Sequence, residues 1–348
     1  MTLDEIFTRI DDVSIAVVGD FCLDIYWLAD MTRSQLSRET PHFPLPIVNE
    51  RMSCGGAGNV ACNVAALKPK EISVFGVIGA DWRGQALRKL LQDVGIVTDK
   101  LIELDGRFTN AYCKPLRKGF SDVVYEDPRL DFENSEQVPE STQRELLNAL
   151  KTCNTDVICV CDQLVGGCIG GVLREGLCEL GRQGRIILVD SRDRIDLYRN
   201  VIVKPNDLEA SKACGGEKDP QRMAQYLSST NGKPALVTLG DKGCIVCEDG
   251  QPVKVPGRRV LPPIDICGAG DTFMSAIACG IAAGCPLSEA AYFANTAAAV
   301  TIKKLFVTGT TTREEIPFFG SSSFEYFSQE ISLVYYDFSP ANAAALPA

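Results

Sequence analysis

Short apolar runs recur along this chain, and helical patterns fill the gaps between them. The runs lie at residues 13–20, 72–77, 156–161, 186–189, 201–203 and 235–239. The helical patterns lie at 58–67, 83–94, 143–152 and 169–182. The runs are continuously apolar rather than alternating, so each strand is buried on both faces, as in a parallel sheet. Strands that alternate with helices predict an α/β fold in which helices cover both sides of that sheet. Ligands then belong beyond the carboxyl ends of the strands, and the first run ends there in Gly19-Asp20.

Two stretches break this rhythm. Residues 22–50 and 107–133 are polar, β-prone and poor in helical periodicity. Loops of that length are uncommon inside a compact domain, so together they predict a small β-sheet standing off the main one as a lid. Residues 1–316 thus read as one domain carrying a lid. Residues 317–348 form an aromatic tail, with Phe318, Phe319, Tyr335 and Tyr336 among its rings. Such a tail packs on its own domain or docks a partner.

With 348 residues, 45% of them hydrophobic, the chain can bury one large core. A formal net charge of −10 argues against nucleic acid as a partner, though local basic clusters suit a small anion. The chain starts with an acidic segment, and no apolar run approaches the roughly 20 residues that span a membrane. The expectation is a cytoplasmic protein whose 15 cysteines are reduced. Cys244 and Cys247 form a CxxC, but Ile245 and Val246 between them look like strand interior and His42 is the only histidine. A zinc site is not expected, and most cysteines read as small core residues.

The chemistry concentrates in Asp265-Ile266-Cys267-Gly268-Ala269-Gly270-Asp271, which precedes an Ala/Gly-rich helical stretch. Small residues let the backbone turn sharply and open a helix whose free N–H groups attract anions, phosphate above all. A carboxylate in that position suits removal of a proton from a phosphoryl acceptor. Taken alone, the segment also reads as a glycine-rich loop with an acidic cap. Upstream, Cys54-Gly55-Gly56-Ala57-Gly58-Asn59-Val60-Ala61 is a second glycine-rich turn into a helix.

In this order and separation, the two glycine segments resemble the GGxxxN and DxxGAGD signatures of the ribokinase-like, or PfkB, family of sugar kinases. Gly79-Ala80-Asp81-Trp82-Arg83-Gly84, Lys204-Pro205-Asn206-Asp207-Leu208-Glu209 and Val237-Thr238-Leu239-Gly240-Asp241-Lys242-Gly243 are similar to further segments of that family. So is Ala294-Asn295-Thr296-Ala297-Ala298, and the resemblance covers residues 13–316. It implies a three-layer sandwich with a central, mainly parallel sheet and a β-sheet lid. It implies Asp271 as the base, with Gly268, Ala269 and Gly270 giving amides to the transferred phosphoryl group. Thr238, Gly240, Gly243 and Asn295 fall on the nucleotide side. Asn206 and Glu209 fall on the family's Mg²⁺-linked pair, with Glu209 acting through water; the same residues also read as a helix cap. Asp265 falls where a monovalent cation, potassium, is held. Asp24, Gly55, Gly56 and Asn59 fall on the sugar side, and Asp20 reads rather as a turn residue.

Within the family the chain resembles the heptose 7-phosphate kinase domain of ADP-heptose synthesis enzymes. The likeness rests on Gly19-Asp20 through Trp27, on Ser37-Arg38-Glu39-Thr40-Pro41 with Pro44 to Val48 as a lid strand, and on Arg129 to Glu133. It implies ATP-dependent transfer to a sugar phosphate, whose own phosphate would meet Arg38, Lys114, Arg117 and Arg129. A nucleoside or ketose kinase, or a nucleotide-binding regulator without catalysis, are the other readings. Exposed lid edges imply a homodimer paired through the lid. Cys267 reads either as a helix-start thiol with a stabilised thiolate or as a buried, inert stand-in for threonine.

Overall fold

The computed structural model describes residues 1–316 apart from Phe306, so the aromatic tail at 317–348 lies outside the described residues. Helix α1 (Leu3–Ile10) is closed by a capping box between Thr2 and Glu5 and feeds β1 (Ser14–Gly19). Then come β2 (Phe21–Asp30) and β3 (Ile47–Gly56), which runs directly into α2 (Ala57–Ala66). The next elements are β4 (Glu71–Gly79), α3 (Trp82–Asp93) and β5 (Val97–Leu104). They are followed by β6 (Asn110–Lys118), β7 (Val124–Glu126) and β8 (Leu130–Phe132). Alternation then resumes with α4 (Glu140–Thr152), β9 (Val157–Asp162), α5 (Gly171–Arg182), β10 (Ile186–Ser191) and β11 (Ile202–Val203). The remaining elements are α6 (Asp207–Ala213), α7 (Pro220–Asn231), β12 (Ala235–Thr238), β13 (Cys244–Glu248), β14 (Gln251–Val255), α8 (Ala269–Ala282) and α9 (Leu287–Thr301).

Strands in the order β14-β13-β12-β11-β10-β9-β1-β4-β5 form one sheet. It is parallel from β12 to β5, while β13 pairs antiparallel with both β12 and β14. Along β1 the side chains alternate between two cores: Ile15 and Val17 pack under α1, α2, α3, α8 and α9, while Ala16 and Val18 pack under α4 to α7. This period of two is what a strand buried on both faces requires. Cys244 and Cys247 obey it too, facing opposite cores from β13, so they cannot share a ligand.

The second sheet has the order β3-β2-β6-β7, with β8 added to β6. Its central strand β2 pairs antiparallel with β3 and parallel with β6. The expected lid is therefore present, with one correction. Residues 37–46 are not a lid strand; β3 begins only at Ile47. Pro41, Pro44 and Pro46 have no N–H to give a ladder, and the segment instead closes on itself through Ser37 N–H to His42 O (3.0 Å).

Candidate active site

The parallel strands of the main sheet end along one edge, and the start of α8 stands over that edge. Gly268 caps the helix with φ 77°, a left-handed conformation that a β-carbon disfavours. A β-carbon there would also lie 3.1 Å from Asn59 Nδ2. Ala269 N–H turns back onto Ile266 O (3.2 Å). Of the three amides expected to face an anion, that one is already used by the turn. Those of Gly268 and Gly270 take no partner among the described residues, and nothing lies within 4 Å of a β-carbon built on Gly270.

Asp271, in the first turn of α8, accepts a hydrogen bond from Asn59 Nδ2 at 2.6 Å. Burial pushes its carboxyl up to about 6; Asp190 and Asp24 add to this, while the Asn59 hydrogen bond and Lys204 oppose it. A carboxylate with that affinity is charged at neutral pH yet basic enough to take a proton from a hydroxyl.

Cys267, one residue before the cap, corrects both readings of that thiol. It is exposed rather than buried. Its thiol is nevertheless pushed up by partial desolvation and by the carboxylates of Asp265, Asp24 and Asp271, against the pull of Lys114. These surroundings disfavour the thiolate.

On one side of Asp271 lie the ends of β10, β11 and β12. Asn206 and Glu209 form a complete capping box on α6, Asn206 Oδ1 accepting from Glu209 N (2.9 Å) and Glu209 Oε2 from Asn206 N (2.8 Å). Burial, then Asp190, push the Glu209 carboxyl up. Lys204, only 2% exposed, pairs with Asp190 at 3.0 Å. Burial works against the Lys204 charge, but Asp190 and Glu209 outweigh it and hold the ammonium above its ordinary value. Sequence reasoning quoted Lys204 only as part of a motif; its signal was a lysine directly after an apolar strand. Thr238 N–H donates to Pro205 O (3.0 Å), which ties the end of β12 to this corner. Gly240 has open space around it, whereas a β-carbon on Gly243 would meet Val255 O at 2.2 Å. Asn295 is buried and spends its amide on Pro256 O (3.1 Å), so it braces the loop after β14.

On the other side is the lid sheet, whose register settles which side chains face the cleft. Asp24 stands opposite Ser53 on β3 and Tyr112 on β6, and Tyr26 stands opposite Arg51 and Lys114. Directly opposed residues share a face. Lys114 Nζ reaches Asp24 Oδ2 (3.4 Å) and Tyr26 Oη (2.9 Å). Burial disfavours the ammonium, but Asp24 and the Tyr26 hydroxyl outweigh it and raise its affinity for the proton. Thr308 Oγ1 joins them, 3.1 Å from both Asp24 Oδ2 and Tyr26 Oη. Ser53 Oγ is buried on this face with no hydrogen-bond partner among the described residues, an orphan group of the kind a polar ligand satisfies. A β-carbon on Gly55 would lie 3.0 Å from Asp24 Oδ1, and one on Gly56 would lie 2.4 Å from Asp20 O.

The four expected cations do not gather in one place. Lys114 faces the cleft. Arg129 stacks 4.3 Å over the Tyr112 ring and holds Asp131 through two bonds of 2.6 Å. Arg117 is opposite Ala29, on the other face of the sheet from Asp24, and is paired with Asp127 at 2.7 Å. Arg38 sits on the exposed 34–46 segment. Arg51, not anticipated, lies 4.5 Å over the Tyr26 ring. Asp20 proves to be a backbone fastener: its carboxylate accepts from the amides of Gln163, Leu164 and Cys168 at 2.7–2.8 Å.

Comparison with known proteins places this arrangement. Residues 15–313 match the family described as pfkB family carbohydrate kinase. The bifunctional protein HldE of Trichlorobacter lovleyi is 33% identical over 326 residues, covering 90% of this chain and 64% of that protein. HldE of Sulfurimonas denitrificans is 30% identical over 305 residues, covering 84% of this chain and 61% of that protein. The chain thus spans somewhat under two thirds of these relatives. Among solved structures, an Arabidopsis thaliana ribokinase complexed with ribose and ATP aligns with TM-score 0.64 at 20% identity, over 88% of this chain and 97% of that one. Escherichia coli phosphofructokinase-2 in complex with potassium aligns with TM-score 0.68 at 20% identity, over 87% of this chain and 97% of that one. The fold is ribokinase-like, and from residue 15 to residue 313 the chain belongs to the pfkB family of carbohydrate kinases.

Proposed function

We propose that this protein transfers the γ-phosphoryl group of ATP to a hydroxyl of a sugar phosphate, with heptose 7-phosphate as the first acceptor to test. The carrying observation is that Asp271, set at an anion-attracting helix start, feels the charge of the lid carboxylate Asp24, which is paired with the ammonium of Lys114 and bonded to Thr308 beside Gly268. Asp271 takes the proton as the acceptor oxygen attacks phosphorus. The Gly268 and Gly270 amides receive charge that spreads over the transferred oxygens. Asp24, the Asn59 amide and the orphan Ser53 hydroxyl give the directional partners a polyol needs. Lys114, Arg129 and Arg51 supply positive charge for a phosphate already on the acceptor.

Glu209 would hold Mg²⁺, which would supply positive charge to the nucleotide phosphates. Its capping box uses Oε2 alone, and Mg²⁺ commonly keeps waters between itself and a single carboxylate. Asp265 offers an oxygen ligand for potassium; its N–H is anchored on Ile302 O (2.8 Å). Gly240 and Thr238 border the space for the nucleotide. ATP use implies a cytoplasmic setting, and no helix among the described residues is long and apolar enough to cross a membrane. The outer edge of β3, exposed along residues 47–51, supports pairing of two copies through their lids.

The test is an ATP-coupled screen of sugars and sugar phosphates. Turnover restricted to phosphorylated sugars supports the reading. Turnover with a nucleoside or an unphosphorylated ketose replaces the substrate, and ATP binding without turnover on any acceptor replaces the activity.

A further inference from the structure

An asparagine side chain presents its NH₂ or its carbonyl to a neighbour with little steric difference, and only its other partners decide which. Asn59 must present its NH₂ if it is to stabilise the charged form of Asp271. Asn63, one turn further along α2 and 2% exposed, sits behind it. Asn63 Nδ2 donates to Asn59 Oδ1 (3.2 Å) and to the Asn59 main-chain oxygen (3.0 Å). That main-chain oxygen can only accept, so it forces Asn63 to turn its NH₂ toward Asn59. Asn63 Oδ1 then faces the other way, where it accepts from Thr272 Oγ1 at 2.9 Å.

We infer that Asn63 is a positioning residue for the phosphoryl transfer: it locks Asn59 in the one orientation that donates to the base. The inference rests on Asp271 being that base. Thr272 is the covalent neighbour of Asp271, so the bonds Asp271–Asn59–Asn63–Thr272 close a ring that ties α2 to the first turn of α8. Thr272 is backed in turn by Thr301 (2.9 Å), Thr301 by Thr311 (2.6 Å), and Thr311 by Ala297 O (2.9 Å). All three threonines are at most 2% exposed. No ligand is needed to explain such a chain; its product is a fixed amide.

The consequence has a sign. The groups facing Asp271 are Asp190 from β10, Asp24 from β2, Cys161 from β9, Cys267 from the preceding loop and Lys204 after β11. Among the described residues, Asn59 supplies the one side-chain hydrogen bond to the Asp271 carboxylate, and that bond favours the charged form. If Asn63 is lost, Asn59 is free to turn its carbonyl to the carboxylate, and the proton is held more tightly.

The experiment is the pH profile of kcat/KM for Asn63→Leu, with Thr272→Val as a second variant should the first not fold. An activity-free check is a ¹³C carboxyl titration of Asp271, assigned by its loss in Asp271→Asn. The acidic limb and the titration are expected to move up together by about one pH unit, with turnover recovering to within a few-fold of wild type at high pH and KM for ATP unchanged. A merely structural role predicts a uniform loss at every pH, and an unmoved limb and titration in a folded variant overturn the inference. Asp271→Asn separates the two ideas: retained turnover removes the base itself, whereas lost turnover beside an unmoved Asn63→Leu profile removes only the positioning role.

Discussion

Residues Lys114 and Arg117 lie three positions apart on β6 and carry the same charge, yet the structure gives them opposite surroundings. Lys114 shares the face of Asp24 and is held by Asp24 and Tyr26. Arg117 faces away and is matched by Asp127. An odd offset on a strand reverses the face, and the register of β2 with β6 turns that alternation into a site assignment. The edge of the main sheet behaves differently. There the proposed chemistry falls on contiguous segments, Gly268 to Asp271 and Lys204 to Glu209, whose neighbours in sequence are also neighbours in space. A site built from a loop and a helix start can be read along the chain, while a site built on a sheet face cannot.

The contrast can be broken experimentally. The largest effect is expected at the legible side: Asp271→Asn should lower kcat by roughly 10²–10⁴-fold with ATP binding retained, as measured by single-turnover transfer and nucleotide titration. In the wild type, the acidic limb of kcat/KM should fall near pH 6, because below the raised Asp271 value the base is protonated. Next is Lys204→Met, which leaves Asp190 and Glu209 without their buried counter-charge and should destabilise the fold by about 3–5 kcal/mol in urea denaturation.

On the lid, Lys114→Met should raise KM for a phosphorylated acceptor by roughly 10–100-fold, the worth of a charged hydrogen bond, with kcat changed far less. An equal loss from Arg117→Ala would erase the distinction between the two faces. A smaller effect is thermal. The folded Asp271 value lies above the ordinary carboxylate range, so this group binds its proton more tightly in the folded state, and the cost to stability grows as pH rises from about 4 and is complete above about pH 6. Asp271→Asn should therefore melt higher than wild type near pH 7.5, and the gap should narrow as pH falls below about 6 and close only at roughly pH 3 and below, where the carboxyl is protonated in both states. The smallest effect is Arg117→Ala itself, expected to stay within about two-fold of wild-type kcat/KM because an exposed pair on the far face contributes little.

The α/β architecture was legible because continuously apolar strands and intervening helices leave few other ways to bury the chain. The lid was legible as an interruption of that rhythm, although its proline-rich segment was misread as strand because the family likeness was followed there and the missing N–H donors of Pro41, Pro44 and Pro46 were passed over. The Asn206–Glu209 spacing was legible as a cap, and the structure shows the complete box. Asn63, Thr272, Thr301 and Thr311 were not legible as a unit: they come from α2, α8, α9 and the segment after α9, and polar residues on apolar helices look alike until packing brings them together. Ser53 was silent for the same reason.

The sequence by itself determined the order of strands and helices, the family signatures and the identity of the carboxylate at the start of α8, since each is written in local spacing and local backbone demands. Only the tertiary structure decided which lid cation meets the cleft, which way Asn59 points and which carboxylates crowd Asp271 and Lys204. Those properties depend on register, on hydrogen-bond partners far apart in the chain and on loss of water, and none of these is a function of sequence distance.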